Sequence, residues 1–382
     1  MRERKQYKKI VYFSPGYFHA REGLFIEISK HFNIKVIDIS HKKINGSPSE
    51  NYLRNVKNEI WDFNSAKLKR INKESIPRLF WKIFIELKKN NYDIVITSTQ
   101  HTLHSKIVAF YRPFFKFKLA YVNEAWIYFP KKSFLDRAYE KLAVCMVRKA
   151  DFVLNEGIRS EEFMLSLGLP KARCLFWPMM SEDLMLKPIA INKYLEGLLE
   201  FKENSINFAY VGRFSKSKGV FTLLDAFIFL LNKSHFNNVF MYLVGGGYEI
   251  VKVREIAKKF SNIIVIEWVT PAELPFIYSR MDFFVNPSHY DGFSTVACEA
   301  ASMSLPLILT KMVGCVPDLL VDNDNGFVVE AKSSTELAKA IERIVEVGKE
   351  KRLQMGYQSR MKFLEMSSFQ HHINSINLML NE

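Results

Sequence analysis

Two segments in the second half of the chain combine charged side chains with turn residues that can approach a phosphate. In the first segment, Val-Gly-Arg-Phe-Ser-Lys-Ser-Lys-Gly, Arg213 and Lys218 lie five residues apart, between a predicted strand and a helix predicted to begin near Gly219. Cations at such a helix entrance, together with the amides of its first turn, suit a diphosphate. A solvated arginine and lysine would look the same in the sequence, so this segment alone leaves both interpretations open.

The second segment places two carboxylates around the start of another predicted helix. Residues 286–301 read Asn-Pro-Ser-His-Tyr-Asp-Gly-Phe-Ser-Thr-Val-Ala-Cys-Glu-Ala-Ala. Asp291 follows a predicted strand, Ser294 or Thr295 can cap the helix, and Glu299 lies about one turn inside it. The helix amides suit phosphate, Glu299 could accept hydrogen bonds from two ribose hydroxyls, and Asp291 could contact a sugar. As isolated acids, both would be surface residues.

Apolar, β-branched runs alternate with helical patterns along the whole chain. The first series of predicted strands is Lys9–Ser14, Ile34–Ile39, Asp93–Thr97, Leu119–Asn123, Asp151–Asn155 and Cys174–Trp177. The second series is Asn207–Val211, Val239–Val244, Ile263–Glu267, Asp282–Asn286, Leu307–Thr310 and Gly326–Val329. Such strands predict parallel sheets covered on both faces, and two series predict two doubly wound α/β domains. Ligands bind at the carboxyl ends of such strands, so the cleft between two facing domains is the expected site.

The length of 382 residues also fits two domains. We predict an N-terminal Rossmann-like domain over residues 1–180, a linker over 181–205 and a C-terminal Rossmann-like domain over 206–364. The pattern of residues 365–382 predicts a helix that can cross back onto the first domain.

The net charge of +14 is confined to the N-terminal part of the chain. Residues 1–150 hold 30 Lys and Arg against 13 Asp and Glu, an excess of 17 positive charges. Aromatic residues accompany the cations in the predicted helix 76–89 and in Tyr111–Lys118, a mixture that suits a membrane interface. The alternatives are rings that face the core and a solvated lysine-rich surface. No recognisable nucleic-acid-binding module accompanies the charge, and we predict no nucleic-acid partner.

Several other classes of protein and site are disfavoured. No run of 18 apolar residues suggests a spanning helix. The four cysteines, Cys145, Cys174, Cys298 and Cys315, form no CxxC pair, which favours buried thiols in a reducing cytoplasm over a zinc or redox site. The dinucleotide-binding motif GxGxxG does not follow the first strand, and the phosphate-binding loop motif GxxxxGK[ST] does not occur. Turn chemistry explains Asp322-Asn-Asp324 better than a metal site does, so we predict no required metal or other cofactor.

Together, the segments at 212–219 and 286–301 resemble the signature of retaining glycosyltransferases of the GT-B fold, in the glycogen-synthase-like family four. The resemblance rests on Gly212-Arg213, Lys218-Gly219, Pro287-Ser288 with Asp291-Gly292-Phe293 and Glu299-Ala300, and the following Leu305-Pro306 and Gly314 to Leu320 elements. It covers residues 207–330 well and residues 1–200 only by the pattern of the fold. It implies two Rossmann-like domains facing a central cleft.

The resemblance assigns roles to individual residues. It implies that Arg213 and Lys218 hold the donor diphosphate, that Glu299 binds the ribose, and that Asp291 faces the transferred sugar. The remaining donor contacts that it implies are Gly212, Gly292 and the backbone amides of Phe293, Ser294 and Thr295, with Gly16 or Gly23 approaching from the first domain.

Three residues depart from the family pattern. Asp291 stands where the family has glutamate, which draws the carboxylate back by about 1.5 Å. Ser294 replaces the second glycine of Gly-Phe-Gly. Glu124 follows the fifth strand where the family often has histidine, so it is a candidate for a different acceptor contact or acid–base arrangement.

The function that the resemblance implies is transfer of a sugar, with retention, from a nucleotide-sugar to a saccharide acceptor. With the basic N-terminal half, it predicts a cytoplasmic enzyme, peripheral on the inner face of the membrane, that uses a lipid-linked acceptor in cell-surface polysaccharide synthesis. The alternatives are a nucleotide-sugar epimerase or hydrolase on the same fold, or a non-catalytic nucleotide-sugar-binding protein.

Overall fold

The computed structural model describes most of the chain in two compact units. The described residues are 8–14, 22–38, 60–62, 76–99, 101–127, 134–179, 181–190, 193–198, 204–267 and 269–381. The first unit comprises residues 1–180 together with 368–382, and the second comprises residues 181–367.

The first unit is built on a seven-stranded parallel sheet. Its strands are β1 (Lys9–Ser14), β2 (Asn33–Asp38), β3 (Ile60–Asp62), β4 (Ile94–Thr97), β5 (Lys118–Asn123), β6 (Phe152–Asn155) and β7 (Cys174–Phe176), in the order β3-β2-β1-β4-β5-β6-β7. Every neighbouring pair is parallel. The order reverses direction between β1 and β4, which makes the sheet doubly wound.

Helices cover both faces of this sheet. They are α1 (Glu22–His31), α2 (Ile76–Asn90), α3 (Leu103–Tyr111), α4 (Phe134–Arg148), α5 (Ile158–Ser166) and, at the end of the chain, α14 (Phe369–Asn381). Leu79, Ile83 and Leu87 on α2 are buried in one core cluster, as the 3.6-residue period of the sequence predicts. On the other face, Ile376 and Met379 of α14 are fully buried beside α1, so the C-terminal helix completes the core of the first unit.

The second unit contains a six-stranded parallel sheet. Its strands are β8 (Ile206–Arg213), β9 (Val239–Gly246), β10 (Ile263–Ile266), β11 (Phe283–Asn286), β12 (Leu307–Thr310) and β13 (Gly326–Val329), in the order β10-β9-β8-β11-β12-β13. The order reverses between β8 and β11, and those two strands carry the two segments singled out in the sequence. The fold class predicted from the sequence, two doubly wound α/β units, is therefore confirmed.

Eight helices of the second unit lie among the described residues. They are α6 (Lys193–Leu198), α7 (Val220–Leu231), α8 (Ile250–Ala257), α9 (Leu274–Tyr278), α10 (Thr295–Ser302), α11 (Val316–Leu319), α12 (Ser334–Glu346) and α13 (Gly348–Met366). Helices α7 and α12 pack together over one core cluster that includes Phe208, Phe227 and Phe283. Helix α13 packs against α10 and α11.

The structure differs from the sequence prediction at three points. The three-residue edge strand β3 was not predicted, because three residues are too few to show a period. Part of the predicted linker folds with the second unit: Arg360 forms a bidentate ion pair with Asp183 at 2.6 and 2.7 Å, and Leu184 N donates to Ser302 Oγ. The expectation of buried thiols is wrong for Cys145, which is exposed. Over the described residues, no helix is long and apolar enough to span a membrane.

Candidate functional site

An ion pair joins the two segments of the second unit. Lys218 Nζ lies 2.7 Å from Asp291 Oδ2, although the residues are 73 positions apart in the chain. Both side chains are largely buried, with 23% of Lys218 and 15% of Asp291 exposed. Arg213 ends β8, and its carbonyl accepts a hydrogen bond from Tyr210 Oη at 2.8 Å. Burial raises the pKa of the Tyr210 hydroxyl, with the charge of Asp291 adding to the increase and that of Arg213 opposing it.

Gly219 allows the Lys218 turn to approach the second segment closely. Its φ is +71°, and a Cβ at this position would lie 2.0 Å from the Pro287 carbonyl oxygen. His289 N donates to Ser217 O at 2.9 Å, and the His289 ring shares a 2.9 Å hydrogen bond with Thr222 Oγ1 at the start of α7. Burial lowers the pKa of His289, which favours a neutral ring in this contact. Neither His289 nor Thr222 was predicted, because their sequence context shows no pairing.

The Asp291 loop is also bound to the loop after β12. Asp291 N donates to Met312 O at 2.9 Å, and Gly314 N donates back to Asp291 O at 3.1 Å. Cys315 N donates to the carbonyl of buried Phe293 at 3.0 Å. These backbone bonds fix the loop that carries Asp291.

The start of α10 corrects the prediction of a side-chain cap. Ser294 precedes the helix with φ +91°, a left-handed conformation, and its side chain makes no capping bond. Its Oγ instead accepts a hydrogen bond from Asn286 Nδ2 at 2.8 Å. A left-handed residue at this point explains why the resembling family has glycine there. The first amides of α10 have no partner within the helix and point toward its N-terminal end.

Glu299 is half-buried on α10. Desolvation is the main cause that raises its pKa to about 7, with the charge of Glu182 adding to the increase. Tyr278 Oη lies 3.5 Å from Glu299 Oε2 and donates at 3.3 Å to Val296 O. Tyr278 and Glu182 were both missed in the sequence, since each comes from a different element. A carboxyl group with this pKa can be ionised by a ligand that donates hydrogen bonds to it.

The remaining predicted residues are Gly212 and Gly292 in the second unit and Glu124, Gly23 and Gly16 in the first part of the chain. Gly212 lies in β8 opposite Gly245, where a Cβ on Gly245 would lie 2.1 Å from Gly212 O. Gly292 is half-buried between Asp291 and Phe293. Glu124 is exposed after β5 in the first unit. Gly23 is in the first turn of α1, where a Cβ would make an ordinary 3.7 Å contact with Phe369. Gly16 lies outside the described residues.

A family model matches the part of the chain that contains this site. Residues 197–362 match the model of the family Glycosyl transferases group 1. The matched region contains all of the predicted site residues of the second unit. It covers less than half of the chain and includes none of the first unit's sheet.

Three curated relatives are similar to between 40% and 71% of this chain. The chain is 29% identical over 158 residues to the capsular polysaccharide biosynthesis glycosyltransferase CapM of Staphylococcus aureus, covering 40% of each chain. It is 26% identical over 285 residues to an uncharacterized 41.2 kDa protein in the cps region of Klebsiella pneumoniae, covering 71% of this chain and 74% of that protein. It is 26% identical over 164 residues to the UDP-Gal:alpha-D-GlcNAc-diphosphoundecaprenol alpha-1,3-galactosyltransferase of Escherichia coli, covering 41% of each.

Solved structures resemble the chain over nearly its whole length. Sucrose-phosphate synthase from Thermosynechococcus elongatus has a TM-score of 0.75 and 17% identity, covering 97% of this chain and 98% of that one. Anabaena HepE in complex with UDP-glucose has a TM-score of 0.68 and 17% identity, covering 98% and 99%. At these identities the likeness establishes the fold, which is GT-B.

Proposed function

We propose that this chain is a retaining glycosyltransferase that moves a sugar from a nucleoside diphosphate sugar to a saccharide acceptor. The observation that carries the proposal is the Lys218–Asp291 pair, which lies just before the N-terminus of α10, with Arg213 at the end of β8. In the proposal, Arg213, Lys218 and the helix amides together bind the negative charge of the diphosphate. The group 1 match over this region and a structural neighbour solved with UDP-glucose support the assignment.

In this proposal the second unit stabilises the departing diphosphate. Arg213 and Lys218 donate charge-assisted hydrogen bonds that strengthen as negative charge develops on the leaving oxygen. Glu299 accepts from the ribose hydroxyls, and Gly212, Gly292, Phe293, Ser294 and Thr295 contribute backbone groups to the donor. We assign no protein nucleophile: the leaving diphosphate takes the acceptor proton on the same face of the sugar. No metal enters the proposed reaction.

Asp291 has two partners in this proposal. Without donor it pairs with Lys218, and with donor bound it faces the transferred sugar while Lys218 turns to the diphosphate. The short aspartate side chain keeps the first contact at 2.7 Å. Glu124 and Gly16 belong to the first domain. In this proposal Gly16 approaches the donor from that domain, and Glu124 is the candidate contact to the acceptor.

We further propose that the acceptor is lipid-linked and that the enzyme works in the cytoplasm, on the inner face of the membrane, in cell-surface polysaccharide synthesis. Two relatives support this proposal by their names. CapM is named for capsular polysaccharide biosynthesis, and the E. coli relative is named for a diphosphoundecaprenol-linked substrate. The charge excess of residues 1–150 supports a membrane location. The alternative of an epimerase, a hydrolase or a binding protein is not favoured, since these relatives are named as glycosyltransferases.

The test is nucleotide release from a panel of nucleotide-sugars, with and without lipid-linked saccharides, and the anomeric configuration of the product by NMR. Arg213→Ala and Lys218→Ala should each lower transfer by about 2–4 kcal/mol, roughly 30-fold to 1,000-fold. Lys216→Ala is the matched control, because Lys216 is an exposed lysine in the same turn. Release that never requires an acceptor would indicate a hydrolase, and transfer within threefold of wild type in both variants would remove the diphosphate assignment.

A further inference from the structure

Three large aromatic side chains are exposed on the first unit, although the core beneath them is complete. Trp81 on α2 is 63% exposed, Phe110 on α3 is 59% exposed, and Phe114 in the following turn is 69% exposed. The core below α2 and α3 is filled by Leu79, Ile83, Leu87, Ile107 and Val108, each nearly or fully buried. The outer rings therefore contribute little to folding, and their exposure calls for another explanation.

Ring contacts join these side chains into one surface. Trp81 stacks on Phe84 at 5.7 Å, Phe110 contacts Phe80 edge-on at 5.9 Å, and Phe110 lies 6.4 Å from Phe114. Phe80 and Phe84 each contact the ring of Tyr111, and Phe84 also contacts the ring of Phe115. We call the exposed set of Trp81, Phe110 and Phe114 the aromatic patch. The four inner rings support it from below.

Cations outnumber acids along the chain segment that carries the aromatic patch. Residues 76–118 contain eight Lys and Arg and two acids, Glu86 and Asp93. Glu86 is 12% exposed and is engaged by Lys35 at 2.8 Å, and Asp93 accepts from Lys9 N at 2.8 Å. Both carboxylates therefore contact residues of the sheet, Glu86 contacting β2 and Asp93 contacting β1. Arg78 precedes Trp81 by one turn, Lys116 follows Phe114, and both cations are exposed.

The structure changes which residues of 111–118 are available at the surface. Phe115 and Phe117 pack against the core cluster and are only partly exposed. Lys118 Nζ donates to Met379 O of α14 at 2.8 Å, so this cation is used within the unit. Phe114 and Lys116 are the exposed aromatic and charged residues of this segment, and together with Trp81, Phe110 and Arg78 they form the surface considered below.

We propose that this surface docks on an anionic lipid bilayer, with the three rings at the level of the headgroups and Arg78 and Lys116 on lipid phosphates. Aromatic rings and cations are the two groups that such an interface favours. Single-stranded nucleic acid also uses both, but it needs open ring faces for stacking. Here Phe84 stacks on one face of Trp81, and the rings of Phe110 and Phe114 are tilted by 48° against each other, so the three rings do not present a row of parallel faces. This proposal rests on the proposed function for its biological purpose, which is to bring the enzyme to a lipid-linked acceptor. The structural observations that support it are independent of that function.

The experiment is co-sedimentation of the full chain with phosphatidylcholine vesicles, with and without phosphatidylglycerol, at low and high salt. We expect binding that requires phosphatidylglycerol and weakens with salt. Trp81→Ser with Phe114→Ser should lower the partition coefficient by about tenfold or more at either salt concentration. Arg78→Glu with Lys116→Glu should lower it by roughly tenfold or more at low salt and reduce the salt dependence.

The matched control is Phe229→Ser, which removes an aromatic ring of similar exposure, 60%, from α7 of the second unit. Its partition coefficient should equal that of wild type. Equal binding to neutral and anionic vesicles, a patch variant that binds like the control, or binding to single-stranded DNA that competes with vesicles would overturn the proposal. Circular dichroism of each variant shows that it is folded.

Transfer to a soluble acceptor analogue separates this proposal from the proposed function. Patch variants that keep this transfer but lose vesicle binding support the docking surface. Vesicle binding that depends on the patch in a chain without transferase activity would refute the proposed function and leave the docking surface standing. Transfer at the wild-type rate without vesicle binding that depends on the patch would refute the docking surface and leave the proposed function standing.

Discussion

Replacing Glu299 by glutamine should change how the stability of the chain depends on pH. The pKa of Glu299 rises from an ordinary 4.5 to about 7, chiefly because burial disfavours the charged form. A raised carboxyl pKa means that the folded state holds the proton more tightly than the unfolded state. The stabilisation is therefore fully present below pH 4.5 and is lost as the pH rises through 7.

The size of the effect follows from the two pKa values. Between pH 5 and pH 8 wild type should lose about 2–3 kcal/mol more stability than Glu299→Gln, whose amide does not titrate. The assay is urea unfolding followed by circular dichroism at several pH values in that interval. The difference between the two proteins at each pH cancels the other titrating groups. Glu255→Gln, a change at an exposed acid on α8, is the control and should parallel wild type.

Donor binding tests the same carboxyl group from the other side. If the ribose hydroxyls donate to ionised Glu299, binding of UDP releases a proton, and the affinity for UDP should rise with pH between 6 and 8. In Glu299→Gln this rise should disappear. A stability difference that stays constant within about 0.5 kcal/mol from pH 5 to pH 8 would show that the pKa of Glu299 is not raised and would refute the reasoning.

Three further predictions concern the same unit. Gly219→Ala should cost about 2–4 kcal/mol of unfolding free energy because of the 2.0 Å approach to Pro287 O, whereas Gly348→Ala, with φ +80° and open space, should cost only about 1 kcal/mol; equal losses by urea unfolding would contradict the clash. A double-mutant cycle of Lys218→Met and Asp291→Asn should give a coupling of about 1–3 kcal/mol without ligand and less with saturating UDP; an unchanged coupling would mean that UDP leaves the pair intact. Ser294→Ala should destabilise by about 1 kcal/mol through loss of the Asn286 bond, and Ser294→Gly should recover part of it by relieving the left-handed strain; the opposite order would remove our account of this turn.

The sequence alone determined most of the secondary structure and the fold class. All twelve predicted strands are present with their ends displaced by at most a few residues, because buried parallel strands are continuous apolar runs that local composition reveals. The helix faces followed in the same way, as the burial of Leu79, Ile83 and Leu87 shows. The candidate residues around 213–219 and 286–299 were also identified from sequence, since each segment carries its own spacing.

Only the tertiary structure decided how these segments meet. Lys218 reaches Asp291 because β8 and β11 are neighbours in the sheet, an order that local periodicity does not contain. The raised pKa of Glu299 depends chiefly on its burial and to a lesser degree on the charge of Glu182, which lies far from it in the sequence. The same holds for the exposure of side chains. Phe84 and Trp81 lie three positions apart on one helix. Tyr111 of α3 and Phe115 of the following turn pack against Phe84, whereas Trp81 stays 63% exposed. Local patterns specify which face a residue can occupy, and long-range packing decides what covers that face.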